Sequence, residues 1–556
     1  MKNMELLTGK KDEKTINLLF DEKKSYEKAT KTLREEIKTI WDAYNGEMTD
    51  KEYPWQSDKF IPKMRTEISY IMPFIFSGQP ELEVEGIGDE DKFLAEQLEK
   101  IINYRFTRDL DAFNKISDWV AQSLTFGTSL IKVSWKFQTK DGKVKEDRTE
   151  LTVPNILDIF LNPLIPTIED QKSIIQRSTL TIKQLKNDPK YKNTKKVKPK
   201  GQLKSGDKDS STLDSTDLDE TEKMQTDMET VEVYERWSED RIITVADGAE
   251  RVLLRDEANP CGGLPYEKLI FEQEPLPNRF YGKGVGQNTI DLQAMYYDLF
   301  NQVMDNVKNL ANKMYKIKRN VAFNPRDFIS KPGGIIPVED MGDVEPLEQT
   351  DIKQSAFEIM GLIGDEHKRA SGANDLVQGA ESGNTLGQDK IRESNSASRF
   401  DLVKRRFKNA LASVGEKILT QEIENLQDIN TPILRIFPAE SREVMFDLIK
   451  SKGSDVAHNI KVKGETTLAM NKDIVRKQMI DLYNLAGETL TETESREFIR
   501  EIMRLSGILN IDDLVSKEPM NMELEGATEG AIDGQAMPPV NTQPSQQSIN
   551  QQTYGI

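Results

Sequence analysis

The sequence predicts an α+β fold, and three features lead to this prediction. Segments with apolar residues at helical spacing are interleaved with short runs in which apolar and polar residues alternate, as they do in strands. Glycine and proline clusters separate these segments. At 556 residues the chain is too long for a single core, so several structural units are expected.

The first 180 residues predict a helix, a short strand, a helical stretch and a hairpin. A helix ends at Gly46, and its apolar positions are Leu33, Ile37, Ile40, Trp41 and Tyr44. A short strand follows at Leu82 to Val84, and Glu90 to Thr125 is helical by its spacing. Strands on either side of a turn at Asp141-Gly142 form a hairpin.

A strongly charged segment interrupts this first part of the chain. Ten lysines lie between Lys183 and Lys208, and eight acidic residues lie between Asp209 and Glu229. Such a composition buries little apolar surface, so residues 183–230 are expected to be a solvated, disordered insertion rather than a DNA-contacting arm. Strand patterns resume at residue 230, with a turn at Asp247-Gly248.

Two helices with a small β-rich excursion between them are predicted next. The first runs from about Gln287 to Tyr315, and its apolar stripe is Leu292, Tyr296, Leu299, Val303 and Leu310. Asp291, Asp298 and Asp305 recur at sevens on another face, either as a solvated face or as a column of negative charge if the helix lines a channel. The second helix, 351–371, would pack back along the first through Ile352, Ala356, Ile359, Ile363 and Ala370.

A glycine-rich segment, 372–387, precedes another long helix that reaches about Asn425. The buried positions of this helix are predicted to be Phe400, Val403, Phe407, Leu411, Val414, Ile418 and Leu419. The motifs "TPILRIF" and "NIKVKGE" suit strands, and shorter helices are expected between Asn471 and Ser516. Residues 518–556 contain no Lys or Arg, and they are expected to be a disordered tail.

Composition disfavours most catalytic chemistry. The chain has two histidines, one cysteine and a net charge of −18, and it lacks HExxH, paired CxxC and GxSxG motifs. The glycine-rich segment lacks the lysine and the spacing of a phosphate-binding loop, and its Asp375 and Glu381 would repel phosphate. We therefore expect no catalytic site, cofactor or metal. With no apolar run of membrane-spanning length and no signal peptide, a soluble protein made in the cytoplasm is expected.

The order of these parts, together with local motifs, resembles the portal proteins of tailed bacteriophages, the head–tail connectors. The motifs are "YPWQSDKFIPKMRTEI", "IFSGQPELEVEG", "LTFGTSLIKVSWKF", "VYERWSEDRIITVAD", "LPNRFYGKGVGQNTIDLQAMYYDLFNQVMDN" and "TLGQDKIRESNSASRFDLVKRRFKNAL". The resemblance covers approximately residues 25–515. It implies a portal-type elongated subunit with an α+β wing, a two-helix stem, a small β-rich clip, a long tunnel helix and a helical crown.

The resemblance also implies boundaries for these parts. They are an N-terminal arm (1–24), the wing (25–282 and 426–470), the stem helices (283–315 and 351–371), the clip (316–350), the tunnel loop (372–387), the long helix (388–425), the crown (471–517) and the tail (518–556). By the same resemblance the tunnel loop would face DNA through Asn374, Asp375, Gln378, Glu381 and Asn384. The clip would contact terminase and adaptor through Arg326, Asp327 and Lys331.

The function that the resemblance implies is structural. Portal proteins form a ring, typically of twelve subunits, at one capsid vertex, and the genome passes through it during packaging and ejection. The implied partners are further copies of the chain, the terminase large subunit, a head–tail adaptor, the major capsid protein and scaffold, and double-stranded DNA that passes without tight binding. Two alternatives stay open: a nucleotide-driven motor or nuclease of the packaging machinery, and a tail or scaffold component that conducts no DNA.

Overall fold

The structure is a computed structural model, and it divides into two compact units, Met1–Lys472 and Asp473–Ile556. The residues that it describes are 2–47, 53–76, 78, 80–140, 143–198, 230–276, 278–312, 314–319, 340, 342, 344–347, 352–373, 400–426, 431–453, 458–462, 479–484, 495, 499–500 and 502–503. In the second unit the described residues are few, and those at 479–484 are helical.

The first unit mixes helices and strands, which confirms the α+β prediction. Its helices are α1 (Lys2–Ala29), α2 (Lys31–Asn45), α3 (Lys63–Ile75), α4 (Lys92–Tyr104), α5 (Ala112–Phe126), α6 (Ile182–Asn187), α7 (Val285–Ala311), α8 (Gln354–Ser371), α9 (Asp401–Glu424) and α10 (Arg442–Lys452). Its strands are β1 (Leu82–Gly86), β2 (Thr128–Lys140), β3 (Lys143–Thr152), β4 (Ile159–Phe160), β5 (Ile174–Thr181), β6 (Thr230–Trp237), β7 (Arg241–Asp247), β8 (Arg251–Ala258), β9 (Tyr266–Ile270), β10 (Tyr315–Ile317), β11 (Val344–Pro346) and β12 (His458–Val462).

The main core lies where α5 and α9 pack on a three-stranded antiparallel sheet of order β3-β2-β9. The seven apolar positions predicted for the long helix are all buried in α9 or at its start, and Phe407 contacts Trp119 of α5 at 6.3 Å between ring centroids. The predicted hairpin is also confirmed, because β2 pairs antiparallel with β3 up to Lys140 and Lys143. One face of the long helix therefore packs on the core, while its other face, which includes Leu402 and Glu416, is exposed.

A second sheet carries the N-terminal helix. Its five strands are antiparallel in the order β4-β5-β6-β7-β8, and α1 lies on it with Leu19 fully buried. Glu22 of α1 accepts a hydrogen bond from Arg236 at 2.7 Å and pairs with Lys172 at 2.9 Å. Burial alone would raise the pKa of Glu22, but these cations lower it below its usual value. The segment predicted to be an N-terminal arm thus contributes to a helix that packs on this sheet.

The predicted disordered insertion is wrong for its first sixteen residues, 183–198. A capping box at Thr181 and Gln184 begins α6, and Leu185 and Val197 are buried with strand residues of the second sheet. A few well-spaced apolar residues suffice here because the neighbouring sheet provides the apolar surface that the segment itself lacks. The rest of the predicted insertion, 199–229, lies outside the described residues.

The strand predicted at "TPILRIF" is wrong, because Pro432–Ile436 is a 3₁₀ helix. Pro432 has no backbone N–H to donate to a sheet, and its fixed φ suits the first turn of a helix. Ile433, Leu434 and Phe437 are buried, which is a helical spacing rather than an alternation. The strand predicted at "NIKVKGE" is confirmed, since β12 contains its first residues and pairs antiparallel with β1.

A buried ion pair fixes α9 to the rest of the core. Arg105 donates two hydrogen bonds to Glu422, at 2.8 and 3.0 Å, and the hydroxyl of Thr149 donates to the same carboxylate. Arg105 and Glu422 are 2% and 5% exposed. Glu422 lies on α9, whereas Arg105 directly follows α4 and Thr149 lies on β3. The hydrogen bonds among them therefore specify how α9 packs against β3 and the end of α4.

We expect Glu422→Gln to lower the free energy of unfolding by about 3–5 kcal/mol, because it removes the carboxylate that pairs with the buried guanidinium of Arg105. The urea midpoint, followed by tryptophan fluorescence, measures this loss. Glu416→Gln on the same helix is the matched control, since Glu416 is 52% exposed and contacts His458 at 2.8 Å. Equal midpoints for the two variants would contradict the assigned role of the buried pair.

Candidate functional site

The helices predicted to form a stem, α7 and α8, pack against each other. The described residues between them include the antiparallel pair β10-β11, in which Lys316 lies opposite Glu345. The prediction of two helices that enclose a small β-rich excursion is confirmed to this extent. The predicted clip residues Arg326, Asp327 and Lys331 lie outside the described residues.

The fully buried face of α7 is polar, and this corrects the predicted apolar stripe. Of that stripe only Val303 is buried, while Leu292, Tyr296, Leu299 and Leu310 are half-buried. The residues buried at intervals of four are instead Thr289, Gln293, Tyr297 and Asn301. Polar side chains on a buried helix face require hydrogen-bond partners. Thr289 donates to the carbonyl of Val285 in its own helix, whereas the partners of Gln293, Tyr297 and Asn301 lie in residues 58–64. We call residues 53–62 the strap.

Side chains of α7 bind the backbone of the strap and of the first turn of α3. Asn301 accepts a hydrogen bond from the N–H of Lys59 at 2.7 Å and donates to its carbonyl at 3.2 Å. Gln293 accepts from the N–H of Met64 at 3.2 Å and donates to the carbonyl of Ile61 at 2.9 Å. The Met64 N–H is one of the first-turn donors that a helix cannot satisfy itself, so Gln293 also caps α3.

The last two turns of α7 continue this pattern with charged groups. Asp305 accepts from the N–H of Ser57 at 2.6 Å, and Lys308 donates to the carbonyl of Trp55 at 3.2 Å. Burial alone would raise the pKa of Asp305, but the hydrogen bonds from Ser57 and the nearby Lys308 lower it. Asp305 therefore stays ionised and bound within its own subunit.

The C-terminal half of α8 is anchored on α3 by a buried histidine. His367 is fully buried, and its Nδ1 lies 2.7 Å from Oε2 of Glu67. On the preceding turn of α3, the ammonium of Lys63 lies 4.2 Å from the ring centroid of Tyr296. Burial lowers the pKa of Lys63, and the charge of Glu67 opposes this effect. These contacts join α3, α7 and α8 at one point.

Helix α8 ends at Gly372, which adopts φ 88°, a left-handed conformation that suits glycine. Ser371 then accepts a hydrogen bond from the N–H of Ala373, and Ala373 is buried. The first two residues of the glycine-rich segment, Gly372 and Ala373, are therefore held at the end of α8. Its five predicted DNA-facing residues, Asn374, Asp375, Gln378, Glu381 and Asn384, lie outside the described residues.

The three acids predicted along α7 do not share one environment. Asp291 and Asp298 are exposed, whereas the carboxylate of Asp305 is only 18% exposed and is bound to the strap. Sequence reasoning placed all three on one solvated or channel-facing stripe. Of the three acids predicted to share one face of α7, only Asp291 and Asp298 are exposed together.

A cleft of about 480 Å³ lies between the two sheets and the end of α9. Its charged residues are paired: Lys132 with Glu235, Lys136 with Glu150 at 3.1 Å, and Lys190 with Asp188 at 3.1 Å. Burial alone would raise the pKa of Glu235, but Lys132 and Lys190 lower it to about 2. Of these three pairs, that of Lys132 on β2 with Glu235 on β6 joins the two sheets.

The one cysteine of the chain borders this cleft. Burial, with the charge of Glu424, raises the pKa of the Cys261 thiol to about 11. Its sulfur accepts a hydrogen bond from Gln421 at 3.1 Å. A thiol with such a pKa is almost entirely protonated at neutral pH and is a poor nucleophile. The part of the chain that is described contains no cluster of three or more His, Cys, Asp and Glu side chains that could hold a metal, and none of its helices could span a membrane.

Comparison with known protein families identifies the family of the chain. The family model described as the phage SU10 portal protein matches residues 18–152 and 138–554, which together cover most of the sequence.

The chain belongs to this family of tailed-phage portal proteins.

Portal proteins of this family are structural, and membership implies an oligomeric ring at a capsid vertex of the virion. No curated protein matches the chain. The helices α7 and α8 occupy the positions that the resemblance assigned to the portal stem. The polar spacing of four along α7 was visible in the sequence, but the sequence alone does not show that the strap is its partner.

We expect Asn301→Ala to loosen the strap of this portal subunit, because it leaves the N–H and the carbonyl of Lys59 without partners. Each such hydrogen bond contributes about 0.5–1.5 kcal/mol. Hydrogen–deuterium exchange at residues 57–64 should become faster by at least tenfold. Gln302→Ala, at the exposed next position, is the control. Unchanged exchange in the Asn301 variant would show that its hydrogen bonds do not hold the strap.

Proposed function

We propose that this portal protein forms the ring through which double-stranded genomic DNA enters the capsid during packaging and leaves during ejection. Membership of the portal family and the helix pair α7–α8, fixed to the body by its strap, support this proposal. The subunit number that we propose is twelve, as the resemblance implies. The ring would bind the terminase large subunit during packaging and a head–tail adaptor afterwards.

The observation that supports a conduit best is the charge of the exposed face of α7. Asp291 and Asp298 are exposed, and Gln302 continues the same face one turn later. Repeated around a ring, these carboxylates would make a negatively charged wall. DNA that must move needs a wall that it does not adhere to, because each phosphate contact with a cation strengthens binding and adds salt dependence.

The proposed constriction is the tunnel loop at residues 372–387. Its base is fixed by Gly372, Ala373 and the contact of His367 with Glu67. Within the loop, Asn374, Gln378 and Asn384 would make transient polar contacts with DNA, and Asp375 and Glu381 would oppose adhesion. A loop with a fixed base and polar or acidic residues beyond it suits transient contact with DNA without strong binding.

Docking of packaging and tail proteins is proposed for the clip, residues 316–350. Its described residues include Lys316 and Ile317 of β10 and the whole of β11, and Ile317 is exposed. Arg326, Asp327 and Lys331 are the residues that we propose for contacts with terminase and adaptor. An ATPase or nuclease activity of the pure protein would favour the motor alternative over this structural role.

We expect the double substitution Asp291→Lys and Asp298→Lys to slow DNA packaging while rings still form, because the channel would acquire cations that bind phosphates. Packaging with purified terminase, measured as nuclease-protected DNA over time, reports the rate. Glu239→Lys with Asp240→Lys, in the exposed turn between β6 and β7, makes the same change in net charge and is the control. If both variants package at the wild-type rate, the two acids do not face DNA.

We expect deletion of residues 374–384 to leave rings intact but to reduce packaging or retention of DNA. Negative-stain images and the native mass of the purified variant show whether rings persist. Replacement of the same residues by a Gly-Ser linker of equal length separates the effect of loop length from that of sequence. Filled heads at normal yield with the deletion would reject the tunnel-loop assignment.

A further inference from the structure

The segment 182–198 covers one face of the second sheet. Three of its side chains are buried against β6, β7 and β8: Ile182, Leu185 and Val197. Helix α1 packs on the alternate side chains of these strands, and therefore on the opposite face of the sheet. At the edge strand β8 the N–H of Lys192 donates a hydrogen bond to the carbonyl of Leu254 at 2.7 Å. The sheet thus holds the segment in a defined position, with α6 and the 3₁₀ turn Thr194–Lys196 in contact with each other.

The exposed side of this segment is strongly basic. Between residues 182 and 198 there are seven lysines, no arginine and one acid, so the formal charge of the segment is +6 in a chain whose net charge is −18. All seven lysines are exposed, and we call them the lysine cluster: Lys183, Lys186, Lys190, Lys192, Lys195, Lys196 and Lys198.

Most of the lysine cluster has no counter-charge. Lys190 pairs with Asp188 at 3.1 Å. Lys192 pairs with Glu257 at 3.3 Å. Within the part of the chain that the structure describes, the other five lysines form no ion pair with an acid. By contrast, residues 12–29 of α1 carry four lysines and five acids. Like charges held within a Debye length, about 8 Å at physiological salt, repel one another, and a bound polyanion would remove this repulsion.

We propose that the lysine cluster binds the phosphate backbone of double-stranded DNA. The inference rests on the proposed function, which brings the genome to the subunit, and it adds a contact that holds DNA rather than lets it pass. Lysine is a flexible point charge, which suits phosphate contacts that do not depend on base sequence. The cluster lies on the second sheet, whereas Asp291 and Asp298 lie on α7, so binding and passage are assigned to different elements.

DNA fits the lysine cluster better than an acidic protein segment does. A duplex carries one negative charge per about 1.7 Å of its axis, so several lysines of the two adjacent turns can bind phosphates at once. Each such contact also releases a condensed counterion, which isolated carboxylates do not provide. The chain has eight acids of its own at residues 209–229, and these are the competing occupant that the experiment must separate from DNA.

The test compares two triple variants with the same change in net charge. The cluster variant carries Lys186→Gln, Lys195→Gln and Lys196→Gln. The control variant carries Lys14→Gln, Lys24→Gln and Lys28→Gln, three exposed lysines of α1 on the other face of the same sheet. Circular dichroism and thermal unfolding check that each full-length variant folds. Fluorescence anisotropy with a short labelled duplex then measures the Kd between about 0.05 M and about 0.2 M salt.

We expect the cluster variant to bind the duplex at least about tenfold more weakly than the wild type at about 0.05 M salt. The slope of log K against log salt should become shallower by about three, because each lost phosphate contact removes about one. The control variant should bind as the wild type does. Equal affinities of the wild type and the cluster variant, or equal losses in both variants, would overturn the proposal. The first of these results is also the one expected if residues 209–229 occupy the cluster.

A charge-preserving variant separates binding from folding. Lys186→Arg, Lys195→Arg and Lys196→Arg together keep the three charges, so wild-type affinity for the duplex is expected. Equal losses in the Arg and Gln variants would assign these lysines to the fold and reject the proposal. So would binding of labelled polyglutamate without binding of the duplex, which would indicate an acidic protein as the partner. The assay needs neither rings nor terminase, so its failure is distinct from a failure of the proposed function.

Discussion

The hydrogen bonds between α7 and the strap are the constraint on which the helix pair depends. The strap, whose residues are exposed or half-buried, has no helix or strand to pair its backbone groups, so side chains must supply fixed partners. Asn301 and Gln293 satisfy such groups of the strap, and Gln293 also satisfies the first turn of α3. The position of α7 is thereby fixed relative to α3 by bonds that have direction, which apolar packing alone lacks.

Two buried polar contacts extend this constraint to the other long helices. His367 ties α8 to Glu67 on α3, and Arg105 ties α9 to the core through Glu422. Each contact buries a charged or polar group that only one arrangement of helices can satisfy. The three helices that flank the proposed channel segment are thus each held to the same body by a polar contact.

The sequence predicted well the helices whose apolar spacing is regular. It predicted poorly the segments whose burial depends on contacts with distant parts of the chain. Phe400 and the six apolar positions within α9 were predictable because one face of this helix is buried and the other is exposed, so its period shows directly in the sequence. The buried face of α7 was missed, since Gln293 and Asn301 look solvent-exposed until the strap supplies their partners. Residues 183–198 were missed for a similar reason, because the sheet that orders them is formed by other segments. In the proposed site, Asp291 and Asp298 were predictable by spacing, whereas the binding of Asp305 to Ser57 required tertiary structure.

The polar bonds that fix α7 and α8 within the subunit also affect the free energy of assembly of the proposed ring. Association must offset the loss of translational and rotational freedom and the ordering of side chains and backbone at the interface. Polar bonds within the subunit already fix α7 and α8, so assembly would not have to order these helices again. Folding of the helix pair thus relies on directional bonds, which would leave its exposed side chains available for contacts with neighbouring subunits of the proposed ring.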